Sequence, residues 1–220
     1  KAFYKRLRSK LKFGEPHLDS KSLCENAAER AWRAPRYEGE LPVWPEETWP
    51  PWAEIKDRVD YEPRTKWIDE YLAKDAAAWA LEHRGVVWCH SRAFGKKVAQ
   101  LAGLYYHSGG LKGEELIQAE DGSQSIIASL SAYGESLDGL QHKFSEQLVA
   151  EPPASGKAWE QLLGRLARQG QRADTVTTDI FLHTDEFRDA FKKAITLAEF
   201  DEATTPNRQL LLAADLEFEI

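Results

Sequence analysis

Two arginines, framed by glutamines and glycines, form the most specific pattern in the sequence. The segment QLLGRLARQGQ (161–171) places Arg165 and Arg168 three residues apart. On a helix, this spacing brings both guanidinium groups to one face, where they can converge on one cluster of phosphate oxygens. The pattern predicts a helix over residues 156–168 that ends at Gly170 and presents two permanent cations to a phosphate group.

The spacing Q-x-x-G-R-x-x-R-x-G-Q resembles motif VI of superfamily 2 helicases and translocases, in the form found in Swi/Snf-like and related phage-encoded members. The resemblance implies that Arg165 and Arg168 are the catalytic arginine fingers of a motor ATPase. Such fingers reach the γ-phosphate of ATP from a second lobe and neutralise the charge that hydrolysis builds there. The resemblance also assigns Gln161 to the nucleotide site. The alternative is an ordinary amphipathic helix with two surface arginines, which six specified positions in eleven disfavour.

The segment SIIASLSAYGESLDGLQ (125–141) resembles motif V of the same family, a buried strand that runs into a glycine-containing loop. The resemblance implies that Ser129 and Ser131 approach the nucleic-acid backbone. It assigns Gly134 and Asp138 to nucleotide binding, with the acid near the ribose or near the motif VI arginines. Alternatively, the glycines of this loop are ordinary turn residues.

A third segment, GVVWCHSRAFGKKVAQLA (85–102), resembles motif IV, a strand whose carboxyl end carries polar side chains. Ligands of open α/β sheets bind at that edge. The stretch YYHSGG (105–110) resembles the short strand and loop that follow in these motors. The resemblance brings five side chains of the two segments to the nucleic acid: His90, Ser91, Arg92, His107 and Ser108. A structural role explains Ser91 equally well, since serine is a favoured helix N-cap.

No phosphate-binding loop and no acidic magnesium motif occur in the 220 residues. The SGK at 155–157 does not qualify, because the first glycine of such a loop is missing and Ala158 stands where a hydroxyl would bind Mg²⁺. The resemblance therefore implies that ATP and Mg²⁺ bind in an intact two-lobed parent, whose N-terminal RecA-like lobe is the partner of this one. We expect the 220 residues alone to bind neither and to show little ATPase activity. The start at Lys1 and the lack of methionine favour a piece of a longer polypeptide.

The composition is that of a soluble globular protein, with 42% hydrophobic residues, 30% charged residues and no apolar run of membrane-spanning length. Cys24 and Cys89 have neither metal-ligand nor disulfide-framework spacing, so we expect no metal site. The net charge of −7 disfavours a basic nucleic-acid wrapper, although residues 1–12 carry six basic side chains and no acid. We expect no membrane partner and a cytoplasmic location, which is the host cytoplasm if a phage encodes the chain.

Residues 63–220 alternate helix and strand patterns, which predicts an α/β fold with a mainly parallel sheet covered by helices on both faces. The resemblance makes this a RecA-like three-layer sandwich. Helices are predicted near 64–83, 91–101, 112–119 and 156–168, and strands near 86–89, 104–107, 125–130, 147–150 and 174–182. Residues 1–62 predict a helical and loop-rich appendage or inter-lobe segment. Its expected parts are helices near 1–12 and 20–33 and a Trp/Pro-rich stretch at 41–52 without regular structure.

Two functions follow from these patterns. The leading one, implied by the resemblance, is the C-terminal motor lobe of an ATP-dependent helicase or translocase of phage-type DNA replication, with DNA favoured over RNA. The alternative is a stand-alone single-lobe module that binds nucleic acid or protein and has no ATPase activity. An unrelated hydrolase that uses Cys89, His90 or Ser91 is disfavoured, because neighbouring side chains at a strand end point apart.

Overall fold

The structure is a computed structural model that describes residues 21–36, 46–59, 67, 69–110, 112–133 and 138–216. Its contacts divide the chain into two compact units, residues 1–64 and 65–220. The helix predicted near residues 1–12 and the candidate nucleotide-site residue Gly134 lie outside the described residues.

The described residues of the first unit, 21–36 and 46–59, form two helices and two 3₁₀ turns. In chain order these are α1 (Lys21–Arg33), the turn Glu46–Thr48, α2 (Trp49–Ile55) and the turn Lys56–Arg58. A small core of Cys24, Ala28, Trp49 and Trp52 joins the two helices. The indole N–H of Trp52 donates to the carboxylate of Glu25 at 2.7 Å.

The Trp/Pro-rich stretch is more regular than its composition suggested. We expected no regular structure over residues 41–52, but α2 begins at Trp49 and includes Pro50 and Pro51. The first turn of a helix has no intrahelical partner for its N–H groups, so prolines there cost no hydrogen bond. The expectation was wrong because it counted the prolines without considering their place at the start of a helix.

Five strands form the sheet of the second unit: β1 (Gly85–Cys89), β2 (Tyr106–His107), β3 (Ile126–Ser129), β4 (Glu146–Val149) and β5 (Thr177–Ile180). Their order is β2-β3-β1-β4-β5, and all four pairings are parallel. In the centre, Val86 lies opposite Ile126 of β3 and Gln147 of β4. Every residue of β1 is buried, as expected for a parallel strand that is covered on both faces.

Helices cover both faces of the sheet: α3 (Tyr71–Glu82), α4 (Arg92–Ala102), α5 (Gly113–Ala119), α6 (Leu130–Tyr133), α7 (Gly156–Leu163), α8 (Asp185–Thr204) and α9 (Leu210–Ala213). Successive side chains of a strand point to opposite faces. Along β1, Val87 and Cys89 pack with α3 and α4, whereas Val86 and Trp88 pack with α7 and α8. The predicted fold class, α/β with a parallel sheet between two helical layers, is confirmed.

Helix α3 is fastened to the far edge of the sheet by side chains four residues apart. The indole N–H of Trp79 donates to the carboxylate of Asp179 in β5 at 2.6 Å. One turn earlier, Asp75 lies 2.9 Å from Nε2 of His183, just beyond the same strand. Helix α3 is thus bonded to β5 and to the residues just after it.

Some element boundaries differ from the prediction. The helix predicted from residue 64 begins at Tyr71, whose N–H is bonded by the carboxylate of Asp69, a local turn that competes with helix. The strand predicted at 174–182 is limited to β5. Among the described residues, no helix combines the length and apolar character that crossing a lipid bilayer requires.

Candidate nucleotide and nucleic-acid site

The carboxyl ends of the parallel strands meet at one edge of the sheet, where a cleft of about 610 Å³ opens. Its walls come from the residues after β1, β3 and β4 and from helices α7 and α8. The polar side chains in this carboxyl-edge cleft are His90, Ser131, Glu151, Ser155 and Gln161. The structure therefore brings three predicted site residues, His90, Ser131 and Gln161, to one place.

The side chain of Glu151, which follows β4, is hydrogen-bonded to the start of α4. Its carboxylate accepts a hydrogen bond from the backbone N–H of Ser91 at 2.7 Å. The Ser91 hydroxyl caps α4 by accepting from the N–H of Phe94 at 3.4 Å. Burial raises the pKa of the Glu151 carboxyl above its ordinary value, and the hydrogen bond from Ser91 offsets only part of this. A helix start is a common seat for anions, and here it already holds a carboxyl group of the same chain.

The two serines predicted to contact the nucleic-acid backbone differ in exposure. Ser129, the last residue of β3, is buried, whereas Ser131 is exposed and lines the cleft. Their hydroxyl oxygens lie 3.0 Å apart, so one hydroxyl donates to the other. The buried hydroxyl of Ser129 can therefore orient the exposed hydroxyl of Ser131.

The remaining predicted contacts near β1 and β2 do not form one surface. His90 and Arg92 are exposed and Ser108 is half-buried, but His107 is buried. Nε2 of His107 lies 3.0 Å from Oε1 of Glu120, and Nδ1 has no hydrogen-bond partner among the described residues. Burial lowers the pKa of the His107 imidazole, and the nearby Glu120 offsets only part of the change. The His107 side chain is enclosed within the lobe.

The helix that leads to the two arginines is shorter than the sequence predicted. Helix α7 ends at Leu163 with Gly164 as its C-cap, and residues 164–171, which we name the arginine turn, follow as consecutive turns. The N–H of Arg165 bonds to a carbonyl three residues earlier, the spacing of a turn and not of an α-helix. The prediction that Arg165 and Arg168 share one helical face was wrong, because the helix ends before either residue. Glycine, with its low helix propensity, favours this early end.

The two arginines differ in exposure and surroundings. Arg165 is 9% exposed, whereas the side chain of Arg168 is 39% exposed, with Nη1 3.3 Å from Oδ1 of Asp138. Asp138 also accepts hydrogen bonds from the Gln141 amide at 3.0 Å and from the N–H of Gly139 at 2.8 Å. Gln141, then the Gly139 N–H and Arg168, hold the pKa of the Asp138 carboxyl below its ordinary value.

The arginine turn is also held through its backbone by the segment 138–144. Nδ1 of His142 lies 2.9 Å from the carbonyl oxygen of Gly170. The side-chain amide of Gln171 donates to the carbonyl of Phe144 at 2.8 Å. A second cleft, of about 390 Å³, opens beside this contact. The arginine turn and the segment 138–144 are therefore joined by side chains from both.

The candidate residues occupy two places along α7. The carboxyl-edge cleft lies where the strands end and includes Gln161. The segment 138–144 and the arginine turn lie shortly before the starts of β4 and β5, which places them toward the amino ends of the strands. Helix α7 begins at the cleft and leads to the arginine turn, so it connects the two places.

Metal and nucleophile chemistry have little support in the described part of the chain. It contains no group of three or more His, Cys, Asp or Glu side chains that could hold a metal ion. Cys89 is fully buried in β1, and burial raises the pKa of its thiol well above the ordinary value. A buried, protonated thiol is a poor nucleophile.

Glu151 of the carboxyl-edge cleft and His142 of the segment 138–144 were not identified as candidates from the sequence. Glu151 had a visible signal, since an acid directly after a buried strand falls at the edge where ligands bind. His142 had none, because its partner is a backbone carbonyl 28 residues away. Contacts of that kind leave no trace in residue spacing.

Comparisons with known proteins give a likeness of fold at low identity. No family model matches the chain. No curated protein matches it. Among solved structures, it is similar to the C-terminal part of the Fun30 ATPase domain, with 11% identity, a TM-score of 0.44 and coverage of 80% of this chain and 65% of that one. It is also similar to T4 UvsW, with 11% identity, a TM-score of 0.43 and coverage of 81% and 37%. The chain therefore spans less than two thirds of either structure.

Proposed function

We propose that residues 65–220 act as the C-terminal motor lobe of an ATP-dependent helicase or translocase, most simply one that works on DNA. In this proposal Arg168 is the arginine finger, the carboxyl-edge cleft takes part in gripping nucleic acid, and an N-terminal RecA-like lobe of the same parent supplies the phosphate-binding loop and the magnesium ligands. The resemblance of residues 85–102, 125–141 and 161–171 to motifs IV, V and VI supports the assignment.

The observation that carries the proposal is the state of Arg168. Its guanidinium lies at the surface of a turn whose backbone is fixed by neighbouring side chains, and its counter-ion is the 70% exposed Asp138 at 3.3 Å. Ion pairs in water are weak, so a more highly charged phosphate can replace the carboxylate with little loss. A cation that is held in place yet able to change partner suits a finger that acts only when a second lobe closes.

The two arginines take different parts in this proposal. Arg165 is buried at the start of the turn, so we assign it to supporting the turn and the shape of the nucleotide-facing surface. Arg168 faces outward and would contact the γ-phosphate. During hydrolysis, water attacks the γ-phosphorus and the bond to the bridging oxygen of ADP breaks. The guanidinium of Arg168 would stabilise the negative charge that develops on the transferred oxygens.

The carboxyl-edge cleft would supply one part of the grip. His90 and Ser131 are exposed and line the cleft, and Arg92 is exposed two residues after His90, at the start of α4. Hydroxyl, imidazole and guanidinium groups bind phosphate oxygens without reading sequence. Closure of the two lobes on ATP and their release after hydrolysis would then shift this grip along a strand.

The direct test is nucleic-acid-stimulated ATPase activity of the complete gene product carrying Arg168→Ala. We expect turnover to fall by roughly 10³-fold or more, the loss typical of an arginine finger. Arg172→Ala is the matched control, because Arg172 is exposed and lies just beyond the arginine turn. Its turnover should stay close to that of the unmodified protein. Near-normal turnover of a folded Arg168→Ala protein would overturn the assignment.

The nucleic-acid part of the proposal has a separate test. A panel of single-stranded DNA, duplex DNA and RNA should identify which polymer stimulates ATP hydrolysis. Replacing both His90 and Arg92 by alanine should raise the concentration of that polymer needed for half-maximal stimulation, with less effect on maximal turnover. Binding of nucleic acid without ATPase activity in the complete gene product would instead favour a stand-alone binding module.

A further inference from the structure

We propose that His142 is a positioning residue for Arg168, acting through the backbone of the arginine turn. The inference rests on the proposed function, because it concerns the arginine that we assign as the finger. His142 itself would contact neither the nucleotide nor the reacting atoms. Its contact with the carbonyl of Gly170 fixes the turn from which Arg168 extends.

The contact of His142 falls at Gly170, the residue of the arginine turn whose backbone has a positive φ. The N–H of Gln171 bonds to the carbonyl of Arg168 at 3.1 Å, so residues 168–171 form a β-turn. Its third residue is Gly170, with a φ of 92°, the left-handed conformation that glycine adopts without strain. His142 Nδ1–H donates to the carbonyl of this residue at 2.9 Å. The orientation of the turn is therefore set from outside it.

The shapes of His142 and Gly170 also match. A Cβ atom at position 170 would overlap the imidazole ring, so the ring occupies the space that any other side chain would need. The glycine thus serves the turn conformation and the close approach of the ring. Movement of the turn toward the segment 138–144 is blocked by the ring, and movement away from it breaks the hydrogen bond.

The last residue of the turn is fixed independently. The Gln171 amide donates to the carbonyls of Phe144 at 2.8 Å and Leu166 at 3.2 Å, while its oxygen accepts from the backbone N–H groups of Arg172 and Ala173 at 2.8 and 3.0 Å. Without the His142 contact, the turn would keep this attachment at its end but lose the one nearer to Arg168. We therefore expect a displaced finger and not an unfolded turn.

His142 and Asp138 divide the work on Arg168. Asp138 contacts the guanidinium itself through an exposed pair, which phosphate can replace. The hydrogen bond of His142 is to the backbone, so it can persist when the guanidinium changes partner. One residue holds the charge of the finger in the absence of ATP, and the other holds the base of the finger throughout the cycle.

The test compares His142→Asn with His142→Leu in the complete gene product. In asparagine, the amide nitrogen is bonded to Cγ as Nδ1 is in histidine, so it can donate to the Gly170 carbonyl, whereas leucine cannot. We expect His142→Leu to lower kcat by about 10- to 100-fold, the loss that a misplacement of about 1 Å produces, with KM for ATP changed by less than about threefold. His142→Asn should restore most of the lost kcat.

Lys143→Ala is the matched control for these variants. Lys143 is the next residue in the chain, but its ammonium group donates to the carbonyl of Gln118 and not to the arginine turn. Its kcat should stay near that of the unmodified protein. Thermal unfolding of each variant shows whether the lobe remains folded. A kcat loss that leucine and asparagine share equally would overturn the positioning role, since it would not depend on the hydrogen bond.

A double variant separates failure of this inference from failure of the proposed function. If His142 acts through Arg168, His142→Leu should lower turnover little further once Arg168→Ala is present. A strong defect in Arg168→Ala with normal kcat in His142→Leu would overturn the positioning role alone. Normal turnover in Arg168→Ala would overturn the proposed function first.

Discussion

The carboxyl-edge cleft and the arginine turn hold their charged groups in opposite ways. In the cleft, the carboxyl of Glu151 is half-buried and accepts a hydrogen bond from a backbone N–H at 2.7 Å. In the turn, Arg168 and Asp138 are 39% and 70% exposed and 3.3 Å apart. The contact between Glu151 and Ser91 joins the residues that follow β4 and β1. The exposed pair of Arg168 and Asp138 joins the arginine turn and the segment 138–144.

This difference distinguishes contacts that maintain the fold, which we call the frame, from charged groups that are free to take part in a reaction. A buried polar group that loses its partner stays unsatisfied, so such contacts resist exchange. An exposed ion pair exchanges readily with water or another ion. We therefore expect substitutions around the cleft to act mainly on stability and substitutions of the exposed pair to act mainly on activity. The following variants of the 220-residue chain test the part of that expectation that concerns stability.

The largest effect should come from the helix that connects the two places. Trp159 of α7 is fully buried, its indole N–H donates to the Pro153 carbonyl at 2.9 Å, and its ring meets Phe191 edge-on at 5.1 Å. Trp159→Ala should lower the free energy of unfolding by about 3–5 kcal/mol, measured by urea denaturation. Phe200→Ala, at a 64% exposed phenylalanine of α8, should change it by less than about 0.5 kcal/mol. Similar losses of unfolding free energy in Trp159→Ala and Phe200→Ala would show that the packing of α7 does not dominate the stability of this unit.

Gly170→Ala should have the next largest effect, because it combines backbone strain with overlap of the His142 ring. We expect a loss of about 1–3 kcal/mol in unfolding free energy. Gly103→Ala is a close control, since Gly103 has a φ of 69° but open space where the methyl group of alanine would lie. It should show only the strain, about 1 kcal/mol. Equal losses at both positions would mean that the ring can move aside freely.

Glu151→Gln should have a smaller effect on stability whose size depends on pH. The pKa of Glu151 is raised in the folded protein, so the folded state holds this proton more strongly than the unfolded state. The contribution of this proton to stability is therefore fully present below the ordinary glutamate pKa. It is lost as pH rises through the raised pKa of the folded state. At pH 7 the glutamine variant should equal or exceed the unmodified chain by less than about 1 kcal/mol, with a shrinking difference at lower pH.

The control for this pH dependence is Glu82→Gln, an exposed position at the end of α3. Its unfolding free energy should follow that of the unmodified chain at each pH. If Glu151→Gln were less stable by more than about 1 kcal/mol at pH 7, the carboxylate charge at the start of α4 would be stabilising. The cleft would then resemble the arginine turn in depending on a charge.

Asp138→Asn should have the smallest effect on stability. The carboxylate is 70% exposed, and asparagine can still accept hydrogen bonds from Gly139 and Gln141. We expect the thermal unfolding midpoint at pH 7 to stay within the error of the measurement. A fall of several degrees would show that the Arg168 pair is part of the frame and would break the contrast between the two places.

Much of the fold was visible in the sequence because its signals are local. The apolar run Val86, Val87, Trp88 and Cys89 predicted a buried strand, and the structure places β1 there with Gly85 added. Ser91 was considered as a helix N-cap, and its hydroxyl accepts from the N–H three residues later. Strand and cap patterns depend on a few adjacent residues, so they can be recognised without knowledge of the tertiary structure.

The site was less predictable because its geometry depends on distant partners. The residue types near the arginines were recognisable, but the turns that follow Leu163 are held by contacts of Arg168, Gly170 and Gln171 with the segment 138–144. The burial of His107 likewise depends on Glu120 and on the sheet that covers it. Spacing identifies candidate residues, whereas exposure and partners are set by packing.

The attachment of α3 to the end of the lobe has a consequence for biosynthesis. Trp79 and Asp179 are 100 residues apart in sequence, and Asp75 and His183 are 108 apart. A ribosome must therefore synthesise most of residues 65–220 before α3 finds these partners, and long-range closure of this kind slows folding. During that interval, the alanine-rich face of α3, which is buried in the folded protein, lacks part of its packing.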